Sequence, residues 1–305
     1  MIELVKNTKI DFMGMKKYAF AFSTMLLILG LVGIVQIYRG QANLGIDLEG
    51  GTSIQLKFQK AFSLDEIRSI LTKSGHAGST LQEIPRENIL LLKLGVSGRQ
   101  EEKMVAEPVV SLLRRSFPGN PFVVESVSEI GPAIGNKLRR DAVLALLVSA
   151  LAIIIYLAWR FEFKFGVAAA IATFHDIFAV VGIFWILGIE MDLLFITALL
   201  TIGGYSLTDT VVVFDRIREN IRLRKKGAFS EVINLSVNEV LSRTIITSLT
   251  TFAATLSLLA FGGSVLHDFA LALTMGIVVG TYSSIFVASQ VVALWRGEKM
   301  TEVKR

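Results

Sequence analysis

Six stretches of this chain are too long and too apolar to fold as anything but helices in lipid. A bilayer core of about 30 Å takes about 20 residues of α-helix, and backbone inside it must satisfy its own hydrogen bonds. Tyr18–Tyr38, Ala142–Trp159, Phe165–Leu187, Leu193–Phe214 and Phe269–Trp295 meet that length with few charges, and Thr244–Phe261 is a shorter, threonine-rich sixth. The 52% hydrophobic content of the 305 residues agrees with a membrane protein and not with an ordinary globular one. Tyr18–Tyr38 is longer than a signal-peptide core and has no A-x-A-like cleavage site after it, so it is expected to be a retained first span. The chain has no cysteine, which excludes disulfides, thiol catalysis and thiolate metal sites, and its three histidines argue against zinc. No metal and no cofactor is expected.

The net charge of +5 follows the membrane and not a nucleic acid, because the basic residues fall in alternate short loops. Lys6, Lys9, Lys16 and Lys17 precede the first span, Arg160 and Lys164 join the second and third, and Arg296, Lys299, Lys304 and Arg305 follow the sixth. The loop between spans four and five adds Arg216, Arg218, Arg222, Arg224, Lys225 and Lys226, whereas the turns 188–192 and 262–268 have no lysine or arginine. Both termini are therefore expected in the cytoplasm. The organisation expected is a cytoplasmic segment at 1–17, a first span at 18–38, an external domain at 39–140, five spans within 141–295 with a cytoplasmic loop at 215–242, and a cytoplasmic tail at 296–305.

Between Arg39 and Arg140 the hydropathy falls to that of a water-soluble domain. Thr52–Gln59 alternates, with Ile54, Leu56 and Phe58 on one face, and predicts a strand. Ser63 with Glu66 has the form of a capping box ahead of Ile67, Ile70 and Leu71. Strands are predicted at Ser79–Ile84, Asn88–Leu94 and Pro121–Glu129, and a second helix at Arg99–Ser116 from the spacing of Met104, Val105, Val109, Leu112 and Leu113. The order β-α-β-β-α-β predicts a ferredoxin-like α+β domain between spans one and two of a six-helix membrane protein. No acid, histidine and nucleophile cluster within it, so no enzyme is expected. Farther on, Phe229, Val232, Ile233, Val237, Val240 and Leu241 share one helical face, which predicts an amphipathic helix at the membrane surface before span five; a plain connecting helix has the same pattern.

Charge inside a span is costly, and each instance is a functional candidate. Span three carries His175 and Asp176, and span four carries Asp209, about 9 Å from Asp215 at ~1.5 Å per residue. Arg243 stands at the entrance to span five. Spans four and five are antiparallel neighbours, so Asp209 and Arg243 are expected at similar depth as an ion pair. Burial disfavours a carboxylate and a nearby guanidinium favours it, so Asp209 is the candidate ion-coupling acid and Arg243 its partner; a carboxylate held in place by Arg243 or a serine is the structural alternative. Ser206, Thr247 and Thr250, with His175 and Asp176, are candidates for an ion pathway, although threonines in spans often bond their own backbone. Gly203, Gly204 and the repeat Gly276, Gly280, Ser284 predict close helix packing.

Several of these segments together form a recognisable set: Leu44-Gly-Ile-Asp-Leu-Glu-Gly-Gly-Thr52, His175-Asp176, the run from Gly204 through Asp209 to Asn220, and Ser242-Arg-Thr-Ile-Ile-Thr-Ser248. Over nearly its whole length the chain resembles the SecD/SecF family of protein-export membrane subunits, on the SecF side, and through it the resistance-nodulation-division transporters. The resemblance implies a bacterial cytoplasmic-membrane protein that works with SecD, the SecYEG channel, SecA and a YajC-like accessory. It implies use of the proton or sodium motive force to promote preprotein translocation after the ATP-driven step. It maps the family's membrane aspartate onto Asp209 and its arginine onto Arg243. Thr208 departs from the asparagine that many members carry there. Three rivals carry different marks. A small-molecule exporter half would form a homo-oligomer, an intramembrane aspartyl protease would pair Asp176 with Asp209, and a scaffold would conduct no ions.

Overall fold

The computed structural model describes residues 8–84, 88–95, 106–223 and 228–296. The sequence features at Lys6, at Gly98 through Val105, at Arg224 to Lys226 and from Lys299 onward lie outside the described residues. Two compact units emerge, one of Met1–Asn43 with Ala145–Arg305 and one of Leu44–Leu144.

The second unit opens with a short helix at Ile46–Glu49, and it carries the sheet. In chain order the elements of the whole protein are α1 (Lys16–Tyr38), α2 (Ile46–Glu49), β1 (Gly51–Phe58), α3 (Leu64–Lys73), β2 (Thr80–Ile84), β3 (Ile89–Leu94), α4 (Ala106–Ser116), β4 (Phe122–Ile130) and α5 (Pro132–Arg160). The strand order β2-β3-β1-β4, antiparallel throughout, is the ferredoxin-like arrangement expected from the alternation. Ile54, Leu56 and Phe58 of β1 and Leu90, Leu92 and Leu94 of β3 are buried beneath Ile67 and Leu71 of α3 and Val109 and Leu113 of α4. A bulge beside Gln55 and Leu56 shifts the register against β4. Ser63 is the N-cap of α3 by backbone, yet its side chain makes no capping hydrogen bond, so the capping box is not formed. Gly50 and Gly51, at φ 80° and 140°, turn the chain from α2 into β1. A side chain at Gly51 would meet the Leu94 carbonyl at 2.6 Å, and one at Gly135 the Gly50 nitrogen at 2.7 Å, so this corner requires glycine for conformation and for space.

The helical unit continues with α6 (Phe163–Leu187), α7 (Leu193–Leu223), α8 (Phe229–Phe261), α9 (Gly263–Ser283), a π-helical turn at Ser284–Ala288 and α10 (Ser289–Arg296). Six helical segments are long and apolar enough to cross a membrane, as the sequence predicts, with Val265–Trp295 counted as one. The bundle approaches most closely at glycine. A Cβ at Gly182 of α6 would lie 2.5 Å from the Gly30 nitrogen of α1, and Gly276 and Gly280 of α9 pack against Ile202 and Ser206 of α7. Gly203 faces Thr173 and Ile177, whereas Gly204 meets nothing and is exposed, contrary to the packing role expected for it.

The segment before span five differs from its sequence reading. Residues 229–241 do not form a separate surface helix but the first turns of α8, and Phe229, Val232, Ile233 and Val237 are fully buried in the bundle core with Phe161, Phe165, Phe214 and Ile217. An apolar helical face reads identically whether it meets lipid headgroups or protein, and here α7 also extends far enough to cover it. Ion pairs and amides join these extensions: Arg160 to Asp215 (2.5 Å), Arg216 to Glu239 (2.8 Å), and Asn220 Nδ2 to Ser236 Oγ (3.0 Å).

The segment ahead of α1 is strapped to the same end. Asn238 holds both backbone groups of Ile10 through its side-chain amide, accepting at 3.0 Å and donating at 2.9 Å. Asn234 accepts from Met13 N–H and donates to Asp11 Oδ1 (2.7 Å), and Gln290 Nε2 donates to the Phe12 carbonyl. The Phe12 ring is 3% exposed and packs edge-on against Phe286 in the π-helical turn.

Candidate functional site

Two carboxylates lie inside the bundle under very different conditions. Asp176 of α6 is fully buried and well held. Its Oδ1 lies 3.0 Å from His175 Nδ1, and its Oδ2 accepts from Ser283 Oγ of α9 at 2.7 Å and from Ser206 Oγ of α7. Contacts from three helices compensate the burial of Asp176. His175 is also fully buried, with Nε2 lacking a partner among the described residues. The Tyr282 ring stands 6.4 Å away and its hydroxyl donates to the Ala19 carbonyl (2.9 Å) while accepting from Ser23 Oγ (3.0 Å), which ties α9 to α1.

Asp209 of α7 is 7% exposed and has much less. Its Oδ2 accepts from Ser248 Oγ of α8 at 3.3 Å, the Thr247 side chain one residue earlier is a further hydrogen-bonding neighbour, and Ser248 lies 2.7 Å from Thr281 Oγ1 of α9. Arg243 is exposed on α8 and close enough to act on Asp209 electrostatically, but the two form no ion pair within 4.0 Å. The ion pair expected between them is therefore not present in this structure. Arg243 lies more than one helical turn before Ser248 on α8, and Ser248 makes the contact with the carboxylate.

Other sequence candidates separate in the same way. Ser206, one turn from Asp209 in sequence, turns toward Asp176. Thr247 and Thr250 bond the carbonyls of Arg243 and Ile246 and lie exposed, and Thr247 is also a hydrogen-bonding neighbour of Asp209. With Thr197, Thr201 and Thr208, also exposed and back-bonded, and Arg243, they form polar surface along α7 and α8. No group among the described residues bonds both Asp176 and Asp209, and a shared proton between paired carboxylates, as a protease would need, has no basis here. Ser248, Thr281 and Ser283 were not singled out by sequence. The cluster Thr281-Tyr-Ser-Ser284 in an otherwise apolar span was the available signal.

Residues 112–298 match the family model described as "Protein export membrane protein SecD/SecF, C-terminal", and residues 42–61 the SecD/SecF GG motif. The chain belongs to the SecD/SecF family. It is 50% identical over 296 residues to a protein translocase subunit SecF from Thermodesulfovibrio yellowstonii, covering 96% of this chain and 97% of that one. The SecF subunit of Rickettsia typhi is 38% identical over 292 residues, with 96% and 94% covered. Among solved structures, SecDF of Thermus thermophilus, titled a translocon-associated membrane protein, is 38% identical with a TM-score of 0.82. This chain is covered to 95% in that comparison but spans only 39% of the SecDF chain; SecDF in its super-membrane-facing form gives 0.69 over 96%. The SecD/SecF motif around the double glycine coincides with the corner Gly50–Gly51, and the family model takes in both carboxylates.

Proposed function

We propose that this chain is the SecF-type subunit of a protein translocase and that Asp209 couples ion movement to its work. The observation that carries the second part is the contrast between the carboxylates: Asp176 is contacted at 3.0 Å or less from three helices, whereas Asp209 takes its neighbours from α8 alone, Ser248 at 3.3 Å, Thr247, and an arginine beyond pairing distance. A buried carboxylate so weakly compensated is costly as a structural element and suited to gaining and losing a proton or cation. Arg243 would favour the charged form on approach and release it on withdrawal.

The partner is a SecD-type subunit. The relatives are named SecF, and the SecDF chain that this protein resembles is much longer than it. The polar surface of α7 and α8, bearing Arg243, is costly to leave against lipid and fits a protein face. By loop charge the protein lies in the cytoplasmic membrane with both termini inside and the sheet unit outside. There it would act beside SecYEG and SecA, with a YajC-like accessory, and the ion gradient would drive late steps of preprotein movement.

The test uses sealed vesicles containing the SecD-type partner and the channel. Asp209→Asn keeps the shape of the acid and is expected to reduce gradient-stimulated export about tenfold or more, the scale of a lost ion-coupling step of at least ~1.4 kcal/mol. Arg243→Lys keeps the charge but loses the planar fork and is expected to be impaired as well. Undiminished stimulation with Asp209→Asn present at normal levels leaves the scaffold reading in its place.

A further inference from the structure

Asp209, Ser248 and Thr281 lie on three different helices and make a chain that ends on a backbone carbonyl. Ser248 Oγ is 3.3 Å from Asp209 Oδ2 and 2.7 Å from Thr281 Oγ1, and Thr281 Oγ1 is also 2.7 Å from the Ile277 carbonyl of α9. Each hydroxyl has one proton to donate and can accept in turn. The pattern therefore admits two complete arrangements. In one, Thr281 donates to Ser248 and Ser248 donates to the Asp209 carboxylate. In the other, a neutral Asp209 donates to Ser248, Ser248 donates to Thr281, and Thr281 donates to the Ile277 carbonyl.

We infer that Ser248 and Thr281 form a reversible hydroxyl relay that serves Asp209 in both of its protonation states; the inference rests on the reading of Asp209 as the coupling acid. No covalent bond between heavy atoms changes. One proton is gained or lost at Asp209, and the two hydroxyl protons rotate from one acceptor to the other. Neither state leaves a buried donor in this chain without an acceptor, which removes the desolvation cost that would otherwise trap the acid in one form. At Asp176 the Ser283 hydroxyl likewise has a second acceptor, the Gly280 carbonyl at 3.2 Å, but among the described residues no second hydroxyl extends that path to another helix.

The groups able to disturb this arrangement are few. Arg243 acts from α8, and the His175–Asp176 pair acts from α6 through Ser206, one turn before Asp209 on α7. Asp215 is farther along α7, paired with Arg160. Residues 269–288 of the last span contain Tyr282 as their sole ionisable group, and its hydroxyl is directed at α1. Thr281 is thus a positioning residue that acts through Ser248, and it joins α9 to the protonation state of an acid on α7.

Thr281→Val keeps the shape and removes the hydroxyl, whereas Thr281→Ser keeps the hydroxyl. Two measurements on the protein with its SecD-type partner in sealed vesicles decide the matter: ion flux, and the infrared carbonyl band of protonated Asp209, assigned by its loss in Asp209→Asn. Thr281→Val is expected to lower flux about tenfold, the loss of one buried hydrogen-bond link, and to move the band to higher wavenumber as the chain beyond Ser248 is cut. Thr281→Ser is expected to restore both. Full flux with an unmoved band in Thr281→Val, or equal impairment in Thr281→Ser, overturns the relay. If Asp209→Asn stops flux while Thr281→Val changes nothing, the relay alone falls; if Asp209→Asn leaves flux intact, the coupling acid and the relay fall together.

Discussion

Asp176 and Asp209 are the same side chain under different obligations, and their substitutions should fail in different ways. Asp176→Ala removes the acceptor for His175, Ser206 and Ser283 at once. Individual hydrogen bonds between membrane helices are modest, and Ser283 keeps the Gly280 carbonyl as an acceptor, but losing the one carboxylate that three buried groups share is expected to cost about 2 kcal/mol or more. Denaturation of the full chain in detergent should show this loss for Asp176→Ala, with Asn in the same place losing less because one oxygen remains. Asp209→Asn should leave that measurement nearly unchanged; equal destabilisation by both would remove the distinction on which the site is argued. The sequence made both acids conspicuous, since each is a charge in an apolar run. It could not separate them, because the separation depends on hydroxyls from α8 and α9 whose rotational register is set only when the helices pack.

Packing between helices depends on specific small residues. At Gly30 and Gly182 the α1 and α6 backbones leave no room for a Cβ, so Gly182→Leu is expected to cost more than the 1–3 kcal/mol or so of ordinary overpacking and to lower the thermal midpoint of the full chain. Gly204→Ala, at an exposed position, is the control and should be neutral for the isolated chain. The strap before α1 depends on charge as well. Hydrogen bonds from Gly14 N–H and the Asn234 amide hold Asp11 below the ordinary aspartate range. A lowered folded value means that the folded state keeps its carboxylate while the released strap takes up protons more readily. The contribution is present above about pH 4 and is lost as pH falls below it. Because the chain has no cysteine, a nitroxide on Lys9→Cys would report the strap alone. Its mobility should rise on acidification in the parent and not follow that titration in Asp11→Asn. The β-α-β-β-α-β order was legible because alternation and helical spacing are local. The strap was not, since nothing in Ile10-Asp-Phe-Met13 announces that two asparagines more than two hundred positions later will bind its backbone.

For the assembled protein, the orientation proposed from loop charge can be tested directly. A tag at Gly119, in the turn between α4 and β4, should be labelled only from outside the cytoplasm, and tags at Leu223 or after residue 296 only from within. Labelling of Gly119 from the cytoplasm would reverse both the topology and the proposed role. The π-helical turn at Ser284–Ala288 has a consequence for how such a chain can change over time. A π turn holds one residue more than the α-helical turn it replaces, and one residue is a rotation of about 100°. A single-residue deletion there would leave the span as apolar as before and just as able to enter a bilayer. It would nonetheless turn Gln290 away from the Phe12 carbonyl and Val292 out of the core. Hydropathy would not register the loss, so at this place the length of the chain, counted residue by residue, is itself a conserved quantity to look for.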